Sequence, residues 1–255
     1  MGWRTVLLTL LLWSAAHAQT SVKIVNAASG SATVAPDSAV SAFGTQLSST
    51  TAIATSLPLP TILAGLSIDV TDSAGAVRTS ELILVAPTQA NFILPSGTAP
   101  GSATVTLRNG SSPVATGGAT VANTAPGIFT ANGNGTGVAA AIAIELVDVV
   151  GPQHLFPVFQ CTSDNQTCTA VPINLGVDTP VFLTLFGTGI RSGKNVTLTV
   201  GGQTVPLLYA GPQGAFPGLD QINVAIPLTL RGAGLTNVAV NVDGQASNPA
   251  QVLIQ

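Results

Sequence analysis

The sequence predicts an all-β protein of two tandem sandwich-like modules behind an export signal. Three observations carry that expectation. Runs rich in Val, Thr, Leu and Ile are short and separated by turn residues, with 27 Gly and 17 Pro in 255 residues. Charged residues make up only 7% of the chain against 46% apolar ones, so helix-favouring Glu and Lys are scarce. Finally, three separate motifs of the first half recur in the same order in the second.

A chain of this length can bury one large core or two ordinary ones. With so few charges its surface must be built from Thr, Ser, Asn, Gln and Gly, a neutral polar coat. Seven Lys and Arg face ten Asp and Glu, and removing Arg4 with the leader leaves six cations against ten acids. Lys23, Arg78, Arg108, Arg191, Lys194 and Arg231 are scattered singly. Phosphate backbones require clustered cations, so nucleic acid is excluded as a partner class. No polybasic or amphipathic membrane face occurs either.

Met1 to Ala18 carries Arg4, the apolar run Val6 to Trp13 and the small-x-small site Ala16-His17-Ala18. Residues 1–18 are therefore expected to be a signal peptide, leaving Gln19 at the mature N-terminus. The apolar run is far shorter than the ~20 residues of a spanning helix. No membrane insertion is expected after cleavage, and the protein is expected to be secreted or at the cell surface.

The first module, residues 19–124, reads as a train of strands at Val22–Val25, Ala39–Phe43, Leu66–Val70, Glu81–Val85, Ala90–Leu94, Ala103–Leu107 and Gly118–Ala122. Leu66, Ile68 and Val70 alternate with Ser67 and Asp69, the period of a strand with one buried face. The prolines of Leu57-Pro58-Leu59-Pro60 lack the donors a central strand needs, so that stretch is a loop. Asp72-Ser73-Ala74-Gly75 supplies a turn and Asn109-Gly110 a hairpin. About seven short strands with turns every 8 to 12 residues is the pattern of an Ig-like sandwich.

The second module, residues 125–255, repeats the first. Phe43-Gly44-Thr45 recurs as Phe186-Gly187-Thr188, Gln89-Ala90-Asn91-Phe92-Ile93-Leu94-Pro95 as Gln221-Ile222-Asn223-Val224-Ala225-Ile226-Pro227, and Asn109-Gly110 as Asp243-Gly244. Three ordered matches argue for duplication. The junction falls at Ala125 to Gly137, where glycine density suggests a flexible connector and Ile128 and Phe129 a plug that docks it on one module. In Val138 to Val150 the alanines would suit a helix, but Val147, Val149, Val150 and the absence of caps favour a strand, paired with Leu155 to Gln160.

Cys161 and Cys168 are the only cysteines. In an exported chain they are expected to close an inserted hairpin as a disulfide; two thiols with no third soft ligand nearby make a poor metal site. Once the leader is gone, His154 is the only imidazole available to a serine triad, and it falls in the turn-like motif Gly151-Pro152-Gln153-His154 with no Gly-x-Ser-x-Gly elbow anywhere. Carboxylates for glycoside hydrolysis could come from Asp37, Asp69, Asp72, Glu81, Glu145, Asp148, Asp164, Asp178, Asp220 and Asp243, but sequence cannot pair them. Gln89 and Asn91, like Gln221 and Asn223, share one strand face. With Asp220 they form either a polar patch for sugar hydroxyls or Ca²⁺, or amides that tie a neighbouring turn to the sheet; recurrence in both modules favours the second. No catalytic, cofactor-binding or metal-ligating residue and no cofactor is expected.

Four motifs of the second half, Phe186-Gly187-Thr188-Gly189-Ile190-Arg191, Val200-Gly201-Gly202, Tyr209-Ala210-Gly211-Pro212 and Pro217-Gly218-Leu219-Asp220-Gln221-Ile222-Asn223-Val224, closely resemble the Solibacter-type uncharacterised C-terminal domain of exported bacterial proteins. The likeness spans about Ala125 to Gln255. The first module, through Val40 to Gly44 and Pro100 to Leu107, looks like the same unit or an Ig-like IPT/TIG domain. The resemblance implies an Ig-like fold and a secreted or surface setting, and brings no catalytic residues. The expectation is a non-enzymatic protein of adhesion, scaffolding or ligand binding, with an extracellular protein or polysaccharide as partner. A polysaccharide-recognition module and a hydrolase with an unrecognised site are the alternatives.

Overall fold

A computed structural model describes residues 20–146, 153–177 and 180–255. The expected leader lies outside them, as do Val147–Val150, the Gly151-Pro152 pair, Asp148 and Asp178. The described chain is all-β; among the described residues one 3-10 turn, Leu228–Leu230, follows Pro227.

In chain order the first module contains β1 (Thr20–Ser21), β2 (Lys23–Asn26), β3 (Thr33–Val34), β4 (Ala39–Phe43), β5 (Ala52–Ile53) and β6 (Leu66–Thr71). It continues with β7 (Val77–Thr79), β8 (Leu82–Val85), β9 (Gln89–Ile93), β10 (Gly101–Asn109) and β11 (Ser112–Val121). One sheet runs β1-β11-β10-β6-β7 and the other β2-β4-β9-β8-β5. Leu66, Ile68 and Val70 point inward from β6 and meet Leu82, Phe92 and Leu107, all essentially inaccessible. Burial of this alternating set is what fixes the strand registers.

The second half contains β12 (Gly127–Ile128), β13 (Ala141–Leu146), β14 (Gln153–Pro157), β15 (Phe159–Cys161), β16 (Cys168–Ala170), β17 (Pro172–Ile173) and β18 (Val181–Thr188). After these come β19 (Val196–Val200), β20 (Gln203–Thr204), β21 (Leu207–Pro212), β22 (Asp220–Ile226), β23 (Gly234–Val242), β24 (Gln245–Ala246) and β25 (Ala250–Ile254). The sheets run β14-β13-β18-β22-β21 and β17-β25-β23-β19-β20, with β15 and β16 as a separate hairpin. A second core of small branched side chains, among them Leu183, Leu185, Ile222, Val224, Val240 and Val252, lies between them.

The two sandwiches share one plan. The β2-β4-β9-β8 order answers to β13-β18-β22-β21, and β11-β10-β6-β7 to β25-β23-β19-β20. Even the parallel lead-in recurs, β1 on β11 and β17 on β25. The run expected as a strand at Val138 to Val150 is one over Ala141–Leu146, and its antiparallel partner is Gln153–Pro157. His154 therefore sits on an edge strand and not in a turn. Its strand is almost wholly exposed and so shows no apolar alternation to read.

The connector differs from the free hinge its glycines suggest. The Asn26 amide reaches from β2 to donate to Ala125 O at 2.8 Å while its Oδ1 accepts from the Ala28 and Ser29 N–H groups. On the other side Asn248 Oδ1 accepts from Ile128 N–H at 2.9 Å, and its Nδ2 donates to Ile128 O and Gly135 O. Gly127 is required by proximity: a Cβ there would lie 2.7 Å from Asn26 Oδ1 and 3.0 Å from the Ala28 Cβ. Glycine here permits close approach of chain to chain, which is the opposite of looseness. Ile128 is buried in the second core, so the plug docks on the second module.

Candidate functional site: the groove between the modules

The two sandwiches touch directly as well as through the connector. At the end of β18 the buried Thr188 hydroxyl accepts from Ala39 N–H of β4 at 2.8 Å and donates to Gly218 O at 2.6 Å. Gly218 has φ +76°, and a Cβ there would stand 2.6 Å from Ile93 Cδ1 and 3.1 Å from Ala39 N. The loop between β21 and β22 is thus seated on the outer face of the first module's β4-β9 pair. Thr45, the counterpart of Thr188 in the first module's motif, is exposed, so the duplicated motif serves the junction only in its second copy.

Where the junction opens, a cavity of about 600 Å³ lies between the modules. Ile53, Leu57 and Ile83 form its wall on the first module, and Phe129, Phe216 and Leu219 the opposite one. Ile53, Leu57 and Phe216 are 61%, 62% and 65% exposed, a concentration of apolar surface unusual beside a neutral polar coat. Thr55 and Ser56 are its polar members and no charged residue lines it. Past Leu57 and Phe216 the groove continues into a shallower hollow that includes Glu81 and Arg191, and beyond Glu81 into one that includes Asp37.

Arg191 is already committed. Its Nε donates to Asp220 Oδ1 at 2.7 Å and its Nη2 to Leu219 O at 2.9 Å. Asp220 is wholly inaccessible, and its Oδ2 accepts from the N–H groups of Ile190 and Arg191. Burial pushes the Asp220 carboxyl above its ordinary range, against the opposing pull of the Ile190 N–H and the Arg191 charge. This is the tie between turn and sheet expected of the amide patch, performed instead by the carboxylate.

The four amides do something more local. Asn91 Oδ1 accepts from Ser41 Oγ and from Gln89 Nε2, both at 2.9 Å. Asn223 Oδ1 accepts from Thr184 Oγ1 at 3.0 Å and Gln221 Nε2 at 2.9 Å. Ser41 lies directly across from Asn91 in the ladder, and Thr184 across from Asn223. Each module therefore carries the same three-residue chain, which satisfies half-buried polar atoms across the central strand pair. Asp220 is not brought onto an open face with them.

Most other candidate groups serve the fold. Asp72 accepts from Ala74, Ala76 and Ala99 N–H and pairs with Arg78 at 2.6 Å; its carboxyl is lowered to about 2, first by the Ala99 N–H. Asp69 is held by Arg108 at 2.9 Å and by the Thr79 hydroxyl. Asp243 receives the Asn195 and Lys194 N–H groups, which lower it, Asn195 first. Asp164 is lowered chiefly by the Thr162 hydroxyl in the tip of the hairpin that the Cys161–Cys168 disulfide closes. Asp37 accepts from the Ser96 hydroxyl. His154 Nδ1 lies 3.7 Å from Glu145 Oε2, its direct cross-strand neighbour, on the exposed face of β14. Among the described carboxylates Glu81 alone has no hydrogen bond or ion pair from its side chain. No group of three or more His, Cys, Asp or Glu able to hold a metal converges among the described residues.

No family model matches the chain, and no curated protein matches it. The groove itself escaped sequence reasoning, because Ala39 and Thr188 are 149 residues apart and nothing in either strand marks them as neighbours. The available signal was the apolar residues stranded in loops, Leu57 beside two prolines and Phe216 beside Gly214 and Pro217.

Proposed function

We propose that this chain acts outside the cytoplasm, secreted or at the cell surface, as a non-enzymatic contact protein whose partner meets it at the groove between two Ig-like modules. The observation that carries the reading is the groove: bulky apolar side chains from both modules are left open to solvent where buried hydrogen bonds fix one module against the other. Binding sites concentrate at such interfaces between rigid units. Export is supported by the leader pattern of Arg4, Val6 to Trp13 and Ala16 to Ala18. It is supported also by the Cys161–Cys168 disulfide, since such bonds persist in oxidising compartments. Among the described residues no helix is long and apolar enough to cross a membrane. Commitment of nearly every described carboxylate to the protein's own turns and ion pairs supports binding over hydrolysis. We assign the second module to the Solibacter-type C-terminal domains on its four motifs, and the first to a related IPT/TIG-like unit; the shared sheet order supports the kinship of the two.

The test is site-specific photocrosslinking in the producing organism. A benzophenone side chain at Phe216 is expected to give discrete adducts in the extracellular or surface fraction, and one at the exposed Thr197 of β19 none. Equal labelling at both positions, or retention of the protein in the cytoplasm, refutes the proposal.

A further inference from the structure

The groove has a second property besides its apolar walls. One wall is β5, the last strand of the β2-β4-β9-β8-β5 sheet. On its inner side β5 pairs with β8 through Ala52↔Val85 and Ile53↔Leu84, and the ladder extends through Ala54 N–H to Ile83 O at 2.9 Å. In an antiparallel ladder, backbone groups alternate in direction, so the N–H and C=O of Ile53 and Thr55 point away from β8. Among the described residues those four groups have no partner. They form an open strand edge on the segment, Ile53 to Leu57, that lines the cavity.

Open edges are what extended chains add to, and natural sheets normally protect them with charge, proline or a covering element. Here neither a charged residue nor a proline falls between Ala52 and Leu57, and among the described residues no strand pairs with β5 on that side. The groove is also continuous with an interface already in use, since Ala39 and Leu219 line it and belong to the strand and loop that join the modules. Charge adds a direction. Arg191 is neutralised by Asp220, so the net charge of the adjoining hollow is that of Glu81, with Asp37 beyond it. Successive side chains on one face of a strand stand about 7 Å apart. The hollow that holds Glu81 shares Leu57, Leu59, Phe216 and Pro217 with the cavity, so a strand with a bulky apolar side chain in the cavity has its next same-face residue available to that hollow.

We infer that the groove binds an extended peptide segment of a partner protein, which adds to the β5 edge at Ile53 and Thr55, inserts an apolar side chain against Phe216 and Leu57, and presents a lysine or arginine to Glu81. The inference rests on the groove being the contact surface and names what fills it. Backbone hydrogen bonds would supply sequence-independent affinity, and the cavity and Glu81 the selectivity.

The experiment is an NMR titration of ¹⁵N-labelled protein with its disulfide intact. The probe is the capped nonapeptide Thr-Val-Thr-Phe-Thr-Lys-Thr-Val-Thr, whose Val, Phe and Lys share one face when extended. Saturable binding with a Kd below roughly 1 mM is expected, with the largest amide shifts at Ile53 and Thr55. N-methylation at every second residue is expected to weaken binding about tenfold in one register and little in the other, because only one set of N–H groups can face β5. Replacing the peptide Lys by norleucine is expected to weaken it roughly two- to fivefold, a difference that Glu81→Gln abolishes. Phe216→Ser, at a position too exposed to threaten folding, is expected to weaken it about tenfold. Absence of peptide binding, or equal effects of N-methylation in both registers, overturns the inference. An apolar solvatochromic dye separates the two levels: dye in the groove without peptide binding leaves the groove standing as a contact surface and removes the strand-addition reading, and failure of both removes both.

Discussion

Replacing Thr188 by valine tests whether the modules act as one body. The substitution keeps the volume and β-branching and removes only a hydroxyl, which in the native chain accepts from Ala39 N–H at 2.8 Å and donates to Gly218 O at 2.6 Å. Thr188 is fully buried, and Ala39 and Gly218 are buried with it. Two backbone groups are then left without partners, at about 1–3 kcal/mol each. Partial relaxation of the β21–β22 loop brings the expected cost to about 3 kcal/mol, roughly 6–12 °C in midpoint for a chain of this size. A further consequence follows from where the groups lie. They belong to different modules, so water can reach them if the junction opens, and the cheapest response to the mutation is uncoupling. Calorimetry is expected to show one cooperative transition in the parent and two in Thr188→Val, with Thr188→Ser close to the parent because it keeps the hydroxyl. A loss under about 0.5 kcal/mol for Thr188→Val, or two independent transitions already in the parent, would refute the coupling.

Two other perturbations act inside single modules. The Asp72 carboxyl is lowered from 3.8 to about 2 in the folded chain. Its contribution is therefore complete above the unfolded value and is lost as pH falls through 3.8 toward 2. The melting midpoint of the coupled chain should fall over that interval, and Asp72→Asn should lower the neutral plateau and flatten the acid limb; an unchanged limb would deny the Ala99, Ala76 and Arg78 contacts their role. Removing the disulfide as Cys161→Ser with Cys168→Ser should weaken the β15-β16 hairpin by up to about 2.5 kcal/mol on the chain-entropy estimate for so short a loop. Hydrogen exchange should quicken at Thr162 and Val171, whose amides bond within the hairpin and to Val158, while the β18-β22 amides keep their protection; equal loss in both places would show the hairpin to be part of the core.

What periodicity could reveal was the interior of each sandwich. Leu66–Thr71 and Ala39–Phe43 are legible because a half-buried strand must alternate or stay apolar, and the repeated Phe-Gly-Thr and Gln-x-Asn motifs are legible because both copies perform the same task in the same place. The short edge strands β3, β5 and β7 were not, since two or three residues with an exposed face leave no period to count. His154 reads as a turn residue because its five-residue strand is exposed at nearly every position and shows no apolar alternation. The connector's glycines are ambiguous in sequence because glycine has two physical uses, freedom and closeness, and only the position of Asn26 distinguishes them. Among the site residues, the amides were legible as a pair per module but not their partners, Ser41 and Thr184, which lie one strand over. Asp220 adjoins them in sequence but faces the opposite way from Gln221 and is buried.

Duplication explains why the groove belongs to the pair and to neither module. A single sandwich of this plan has an outer sheet face of amides and hydroxyls, and the second module's equivalent face carries the same Thr184–Asn223–Gln221 chain. The first module's face is different only because the β21–β22 loop of the second lies against Ala39 and Ile93, which lifts Phe216 over β5 and turns an open strand edge into the floor of a cleft. Two copies of one unit thus acquire a surface that neither encodes alone, and among the residues that hold them in that relation is Thr188, whose counterpart Thr45 is exposed. Any substitution that frees the junction should therefore abolish groove binding even where both sandwiches remain folded, so Thr188→Val is expected to lose peptide affinity together with cooperativity. Retained affinity in an uncoupled variant would mean that β5 and Leu57 suffice without Phe216, and that the second module has no part in recognition.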